Sequence, residues 1–242
     1  MQTKIKNLKF KNKSLGFSLI ELIMVVAVML IITSVTLLRQ EKFSSDVLIT
    51  NMAYEVALSI REAAVFGISS KYNASGYRVG YGVHFHPAAD GGDVTSFDNF
   101  IDKSLVSVDD MEAGTDAEFN YYYDSTGQVA DDITDTVEIT QGQKIRKYCG
   151  RIAPSTYWKC GPADNTNLNI VFVKPDPDAH ITMGVDNQKD PNQYTEARIV
   201  IESSIGDKCR TVDVTSTGQI SVLPIASDDP TGCLGGMPDV SL

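Results

Sequence analysis

Glu21 is the single charge in a run of 22 residues, FSLIELIMVVAVMLIITSVTLL, over positions 17–38. A carboxylate inside so apolar a stretch is expensive, on the order of 2.5–3.5 kcal/mol on insertion scales. It is worth keeping only if a cation meets it there. Other residues offer chemistry of different kinds. His84 and His86 share one face of a strand, a spacing that metal sites use, but no cysteine or carboxylate stands in register with them. They read as polar, outward-facing strand residues, and no metal is expected. Asp176 with Asp178, Asp186 with Asp190, and Asp228 with Asp229 could supply oxygen ligands to calcium. None has the spacing of a calcium-binding loop, and turn chemistry accounts for them. No cofactor is expected, calcium being the one candidate left open. Lys144, Arg146, Lys147, Arg151 and Lys159 gather around Tyr148, Tyr157 and the sole tryptophan, Trp158. Such interleaving suits a solvated loop, a subunit contact, or stacking on single-stranded nucleic acid. No nucleophile with its base, phosphate-binding glycine loop or paired acid and base stands out among three histidines, so an enzyme is not expected.

The charge balance limits partners. The whole chain of 242 residues carries a formal −10. Five lysines (Lys4, Lys6, Lys9, Lys11, Lys13) and no acid fall in positions 1–16, which leaves 16 basic against 31 acidic residues from Phe17 onward, a formal −15. So acidic a body repels phosphate, and nucleic acid could be met only at a local basic patch. The four cysteines, Cys149, Cys160, Cys209 and Cys233, contain no CxxC pair. Two disulfides are expected. Nearest-neighbour pairing (149–160 and 209–233) is preferred, with the other two connectivities left open.

The elements that must position these residues follow from the hydrophobic period. Twenty-two apolar residues as a helix reach roughly 33 Å, enough for a bilayer core. With lysines before the span, the N-terminus is expected in the cytoplasm. The expectation is therefore a single pass in the cytoplasmic membrane, with the acidic body in the periplasm or at the cell exterior. Beyond Arg39, Val47, Ile49, Met52, Ala53, Val56, Ile60, Ala63 and Ala64 recur at spacings of three and four, predicting an amphipathic continuation that stops at Gly67. Tyr77, Val79, Tyr81, Val83 and Phe85 then alternate with polar or small residues, which is a strand. Further strands are expected at Phe119–Tyr123, Thr136–Thr140, Leu168–Lys174, Arg198–Glu202, Arg210–Val214 and Gln219–Leu223, with a hairpin turn at 215–218. The fold class expected is α+β: one long N-terminal helix packed on antiparallel sheet, with a loop-rich C-terminal region.

The run Gly16-Phe17-Ser18-Leu19-Ile20-Glu21, behind lysines and ahead of an apolar helix, resembles the class III signal of type IV prepilins and type II secretion pseudopilins. The resemblance implies a pilin-like fold. It also implies cleavage between Gly16 and Phe17 by a prepilin peptidase, N-methylation of Phe17, and Glu21 as the assembly carboxylate. Leu58–Ala64, the strand Tyr81–Phe85 and Val171–Asp176 look like the H-type and FimT-type minor pseudopilins. The implied organisation is a cleaved leader (1–16), a transmembrane half-helix (17–38), an amphipathic half-helix (39–67) and an extracytoplasmic β-rich body (68–242). The implied partners are sister pilin subunits, the peptidase, an inner-membrane assembly platform and the membrane itself. The implied function is a structural subunit of a type IV pilus or secretion pseudopilus. A membrane-tethered binding domain that never polymerises, and an exported protein with an ordinary signal peptide, are the alternatives.

Overall fold

A serine placed three residues ahead of a glutamate starts the helix. Ser18 lies just outside it, and its Oγ accepts the backbone NH of Glu21 at 3.3 Å, while its carbonyl takes the NH of Leu22 at 3.2 Å. This is the serine half of a capping box, the side-chain oxygen accepting, with an acid in the first turn where the helix dipole favours it. The structure, a computed structural model, describes residues 18–69, 77–89, 91–107, 119–125, 130–155, 158–162, 165–185, 188–190, 192–204, 206 and 208–224. Helix α1 runs Leu19–Ser69, 51 residues. By packing, the chain divides into two units, Met1–Phe43 and Ser44–Leu242.

In the first unit, every residue of 18–35 is exposed. In the second, the residues of α1 from Ser44 onward show a buried stripe of Ile49, Met52, Ala53, Val56, Ala57, Ile60 and Ala63, at the three-and-four spacing that one helix face requires. Val47, expected in that stripe, is exposed instead, as are Tyr54, Leu58 and Val65.

Eleven strands follow among the described residues: β1 (Tyr77–Phe85), β2 (Ser96–Ser107), β3 (Asp132–Glu138), β4 (Lys144–Arg151), β5 (Trp158–Gly161), β6 (Thr166–Val173), β7 (Asp176–Val185), β8 (Gln188–Lys189), β9 (Glu196–Glu202), β10 (Cys209–Thr215) and β11 (Ile220–Pro224). They form two antiparallel sheets. One has the order β3-β2-β1-β6-β7-β8, the other β11-β10-β9-β4-β5. Their facing sides share one core with the buried stripe of α1. Val83 and Phe85 of β1, Leu168, Ile170 and Phe172 of β6, and Ile181 and Met183 of β7 meet Ile145 and Tyr148 of β4, Ala197, Ile199 and Ile201 of β9, and Val212 and Val214 of β10. Period-two alternation puts those residues inward, because successive side chains leave opposite faces of a strand. In β6 all eight positions are buried. Its outward residues must therefore be covered by something other than the helix.

The structure departs from the sequence expectations at four points. The fold class is not a pilin-like α+β arrangement of one spine helix on one sheet with a loop-rich C-terminal region. It is mainly antiparallel β, with two sheets enclosing a common core. Among the described residues no helix is long and apolar enough to cross a membrane. This overturns the transmembrane segment over 17–38 and the single-pass membrane localisation built on it. Finally, Phe119–Tyr123 is not a strand but an irregular segment. Gly67 does not stop the helix either, which continues to Ser69.

Candidate functional site

Gly16 and Phe17, at which cleavage is expected, lie outside the described residues. Glu21 is exposed in the first turn of α1. Around and beyond it Leu19, Ile20, Leu22, Ile23, Met24 and Val25 are each at least half exposed, and the same holds for the large apolar side chains through Val35. An apolar surface on every side of a helix segment is unusual for an isolated chain and marks an interaction site.

The basic aromatic cluster is neutralised inside the fold. Trp158 is buried on β5 beside the guanidinium groups of Arg151 and Arg198, whose Cζ atoms stand 4.9 and 5.0 Å from the ring centroid. Arg151 pairs with Glu196, Lys159 with Asp190 at 2.6 Å, and Lys144 with Asp93 at 3.1 Å and Glu202 at 3.8 Å. Arg146 reaches Glu202 at 3.9 Å, and Lys147 sits on β4 opposite Val200. Trp158 thus carries two arginines on its ring, and Lys144, Arg146, Arg151 and Lys159 each have a carboxylate within 4 Å. Cys149 and Cys160 are cross-strand neighbours in β4 and β5 and form a disulfide with a Cα separation of 4.0 Å. Cys209 is also disulfide-bonded, and Cys233 lies outside the described residues. Replacing Cys149 and Cys160 together by serine is expected to lower stability by about 3 kcal/mol, the loop-closure contribution of a crosslink 11 residues apart. The emission of Trp158 in urea reads this directly.

Among the described residues no three His, Cys, Asp or Glu side chains gather as a metal-holding group. Asp176 makes a turn instead, its Oδ1 accepting the NH of Asp178 at 3.1 Å, and Asp190 does the same for Asn192 at 3.0 Å. Asp186, Asp228 and Asp229 lie outside the described residues.

The outer face of the first sheet holds what the sequence reading missed. Register places His84 beside Asp98 and Asn169, Gly82 beside Phe100 and Val171, and Gly80 beside Asp102. Over this face lies a strap, residues 119–125. The strap's Tyr122 hydroxyl donates to Asn167 Oδ1 at 2.8 Å, and its Tyr123 NH reaches Asn169 Oδ1 at 3.4 Å. Tyr121 stacks on His180 with ring centroids 3.8 Å apart. Tyr123 meets His84 at 4.7 Å and the edge of Phe100 at 5.4 Å. Phe100, Phe119, Val171 and Val173 make a second, smaller apolar cluster with Tyr121 and Tyr123.

His84 is therefore buried, not outward in water. Burial outweighs its 2.6 Å hydrogen bond with Asn169 and pulls its pKa down to about 4. His86, half-buried, faces two acceptors, Asp98 Oδ2 at 3.2 Å and the Pro87 carbonyl at 2.9 Å, and its pKa is raised, chiefly by the bond to Asp98. The strap's far end is clipped by Asp131, whose Oδ1 accepts the NH of Lys103 at 3.0 Å and whose Oδ2 accepts the NH of Asp124 at 2.9 Å. Asp102 sits fully buried beneath the strap, and neither carboxyl oxygen makes a well-formed hydrogen bond. Asp98, Phe100 and Asp102, two apart on one strand, were the sequence signal for this layer. Compared with known proteins, the chain matches no family model, no curated protein and no solved structure.

Proposed function

We propose that this chain is a structural subunit, a minor pilin or pseudopilin of a type IV pilus or type II secretion pseudopilus, matured by a cut between Gly16 and Phe17 and assembled through α1. The run from Gly16 to Glu21 behind five lysines carries the reading. The exposed apolar residues of Leu19–Val35 support it, since sister helices stacked side by side would take that surface out of water at about 25 cal/mol per Å². Cleavage leaves a cationic amine on Phe17. Within a stack of apolar helices a bare charge is unfavourable, and Glu21 of a neighbouring subunit neutralises it. Each subunit thus brings both halves of one registration contact. Sister subunits, a prepilin peptidase and an assembly platform are the partners this reading requires, and it assigns no catalytic residue.

Glu21 stands three residues after the capping Ser18, a position where a glutamate or glutamine side chain suits the helix start, so alanine is a poor probe of the charge. Glutamine serves equally in a capping box. Under the proposed function Glu21→Gln keeps the helix, measured by circular dichroism, but cuts incorporation into filaments at least about tenfold, the loss of one buried charge pairing. Wild-type incorporation by the glutamine variant refutes the assembly role. Intact mass of the protein from cells that possess the peptidase tests the cut. The expected product begins at a methylated Phe17, and retention of residues 1–16 would count decisively against the assignment.

A further inference from the structure

We propose that the strap of residues 119–125 is a proton-gated clasp, closed over the first sheet while the carboxyls beneath it hold protons and released as they ionise. The geometry comes first. Asp102 of β2 has no exposed surface and neither carboxyl oxygen makes a well-formed hydrogen bond, the strap's Tyr121 amide acting on it weakly in favour of the charged form while burial acts more strongly against it. A carboxylate left in that state is strongly disfavoured, whereas a neutral carboxylic acid there is tolerable. Two further carboxyls face it. Asp124 lies near the strap's end, and Asp131 clips the strap to β2 through the paired backbone bonds to Asp124 and Lys103.

All three carboxyls are pushed upward. Burial raises Asp102 well above the usual carboxylate range, with Asp131 and Asp124 adding repulsion. Burial also raises Asp131, to about 6, and Asp124 by less. Among the described residues, the cations nearby are modest opponents. Lys189 of β8 donates to the Asn120 carbonyl and is itself lowered by burial, and Lys103 donates to the Ala130 carbonyl at 2.7 Å and pairs with Asp132 at 2.9 Å. From β1 and β7, burial lowers both His84, to about 4, and His180, which weakens the positive charge that either can offer. His86 pairs with Asp98 at the opposite end of the layer.

The sign follows from the raised values. A group whose folded pKa lies above its unfolded one contributes stability that is complete below the unfolded value and is lost as pH rises through the folded one. The window therefore opens near the ordinary aspartate value and extends through about 6 for Asp131, with Asp102 raised in the same direction. Within it the equilibrium constant for strap release grows by up to about tenfold per pH unit for each carboxyl that titrates. Release uncovers Phe100, Val171 and His84, an aromatic and apolar face opposite the main core.

Amide hydrogen exchange on the full chain, kept in solution by a mild detergent and corrected for intrinsic rates, reads the clasp. Protection of the strap amides should fall at least about tenfold between about pH 5 and about pH 8, while β9 and β10 stay protected. Asp102→Asn, which cannot ionise, should shrink that fall, leaving the part that Asp131 contributes. Should that variant fold poorly, Asp131→Asn serves as the second arm, and its expected result is likewise a fall smaller than that of wild type. A flat wild-type profile overturns the proposal, as do variants with the wild-type slope. So does recovery of strap protection at high pH on adding calcium or magnesium alone, which would make the carboxyls a cation site.

Discussion

Gly67→Ala is expected to destabilise the body by at least about 3 kcal/mol, the reverse of what the same change does in an ordinary helix. Inside a helix, alanine is favoured over glycine by about 1 kcal/mol, because glycine loses more backbone freedom on folding. At this position the added methyl carbon would stand 2.2 Å from the carbonyl oxygen of Phe172, 2.7 Å from its carbonyl carbon and 2.8 Å from its Cβ. The obstacle is strand backbone, so no side chain can rotate out of the way. Nor can β6 retreat, for it pairs on one side with β1, Tyr81 opposite Phe172, and on the other with β7. Helix and sheet must separate by more than an ångström, which opens the shared core around Ile60, Ala63 and Phe172. The urea midpoint followed through Trp158 measures the loss. Glu62→Ala, exposed on the same helix, should stay within about 0.5 kcal/mol of wild type. A midpoint that rises in Gly67→Ala would show that the helix does not approach the strand so closely.

That glycine shows why sequence reading stopped where it did. A glycine followed by serines after a helical period reads as a stop signal, and nothing local says that a strand more than a hundred residues later needs the space. The strands that were legible were those with a strong apolar alternation. Tyr77–Phe85 agrees with β1 at both ends, and Leu168–Lys174, Arg198–Glu202, Arg210–Val214 and Gln219–Leu223 each fall within two residues of β6, β9, β10 and β11. The hairpin turn between β10 and β11 is also where the composition placed it, with Gly218 at φ 79° against the Pro177 carbonyl. Those that were not legible carry polar residues on both registers. β2 reads SFDNFIDKSLVS and β4 reads KIRKYCGR. Their polar positions are satisfied by partners far away in sequence, such as Thr136 on Asp98 and Glu202 beside Lys144. Missing β2 and β4 meant missing one whole sheet partner on each side of the core, and with them the two-sheet architecture.

The site was misread for a related reason. Basic residues around Trp158 look like a contact surface when their counter-charges are invisible, yet Glu196, Asp190 and Asp213 arrive from β9, the β8–β9 connection and β10. Conversely, alternation put His84 on the polar face of β1 correctly. What alternation cannot show is that a strap closes over that face. The polar side chains there, Asn167, Asn169 and Thr182, are buried ones that bind the strap's backbone and tyrosine hydroxyl.

Burial of His84 sets up the second large effect, which is a crossing of stability curves. Its folded pKa is depressed to about 4 from 6.5, with burial the main cause and the neighbouring His86 a lesser one. A depressed base contributes stability that is present above its unfolded value and is lost as pH falls through the folded one. The window here runs from about 6.5 down to about 4 and is worth about 3 kcal/mol. Other groups move the opposite way over the same range. Asp102 and Asp131 are raised and so favour folding in acid, and His86 is raised as well. The total stability is therefore a poor readout, and the difference between wild type and His84→Gln is the useful one. At neutral pH the variant should be less stable by about 1–3 kcal/mol. It weakens the bond to Asn169 Oδ1 and removes the ring packed against Tyr123 and Phe100. Toward pH 4 wild type must bury a proton on the imidazole or unfold, and glutamine faces no such choice, so the gap closes and reverses by about 3 kcal/mol in all. Urea titrations of the two proteins across that range decide it. A gap that stays constant with pH would mean that His84 is hydrated, that the strap does not cover it, and that the outer face of the first sheet is open to water.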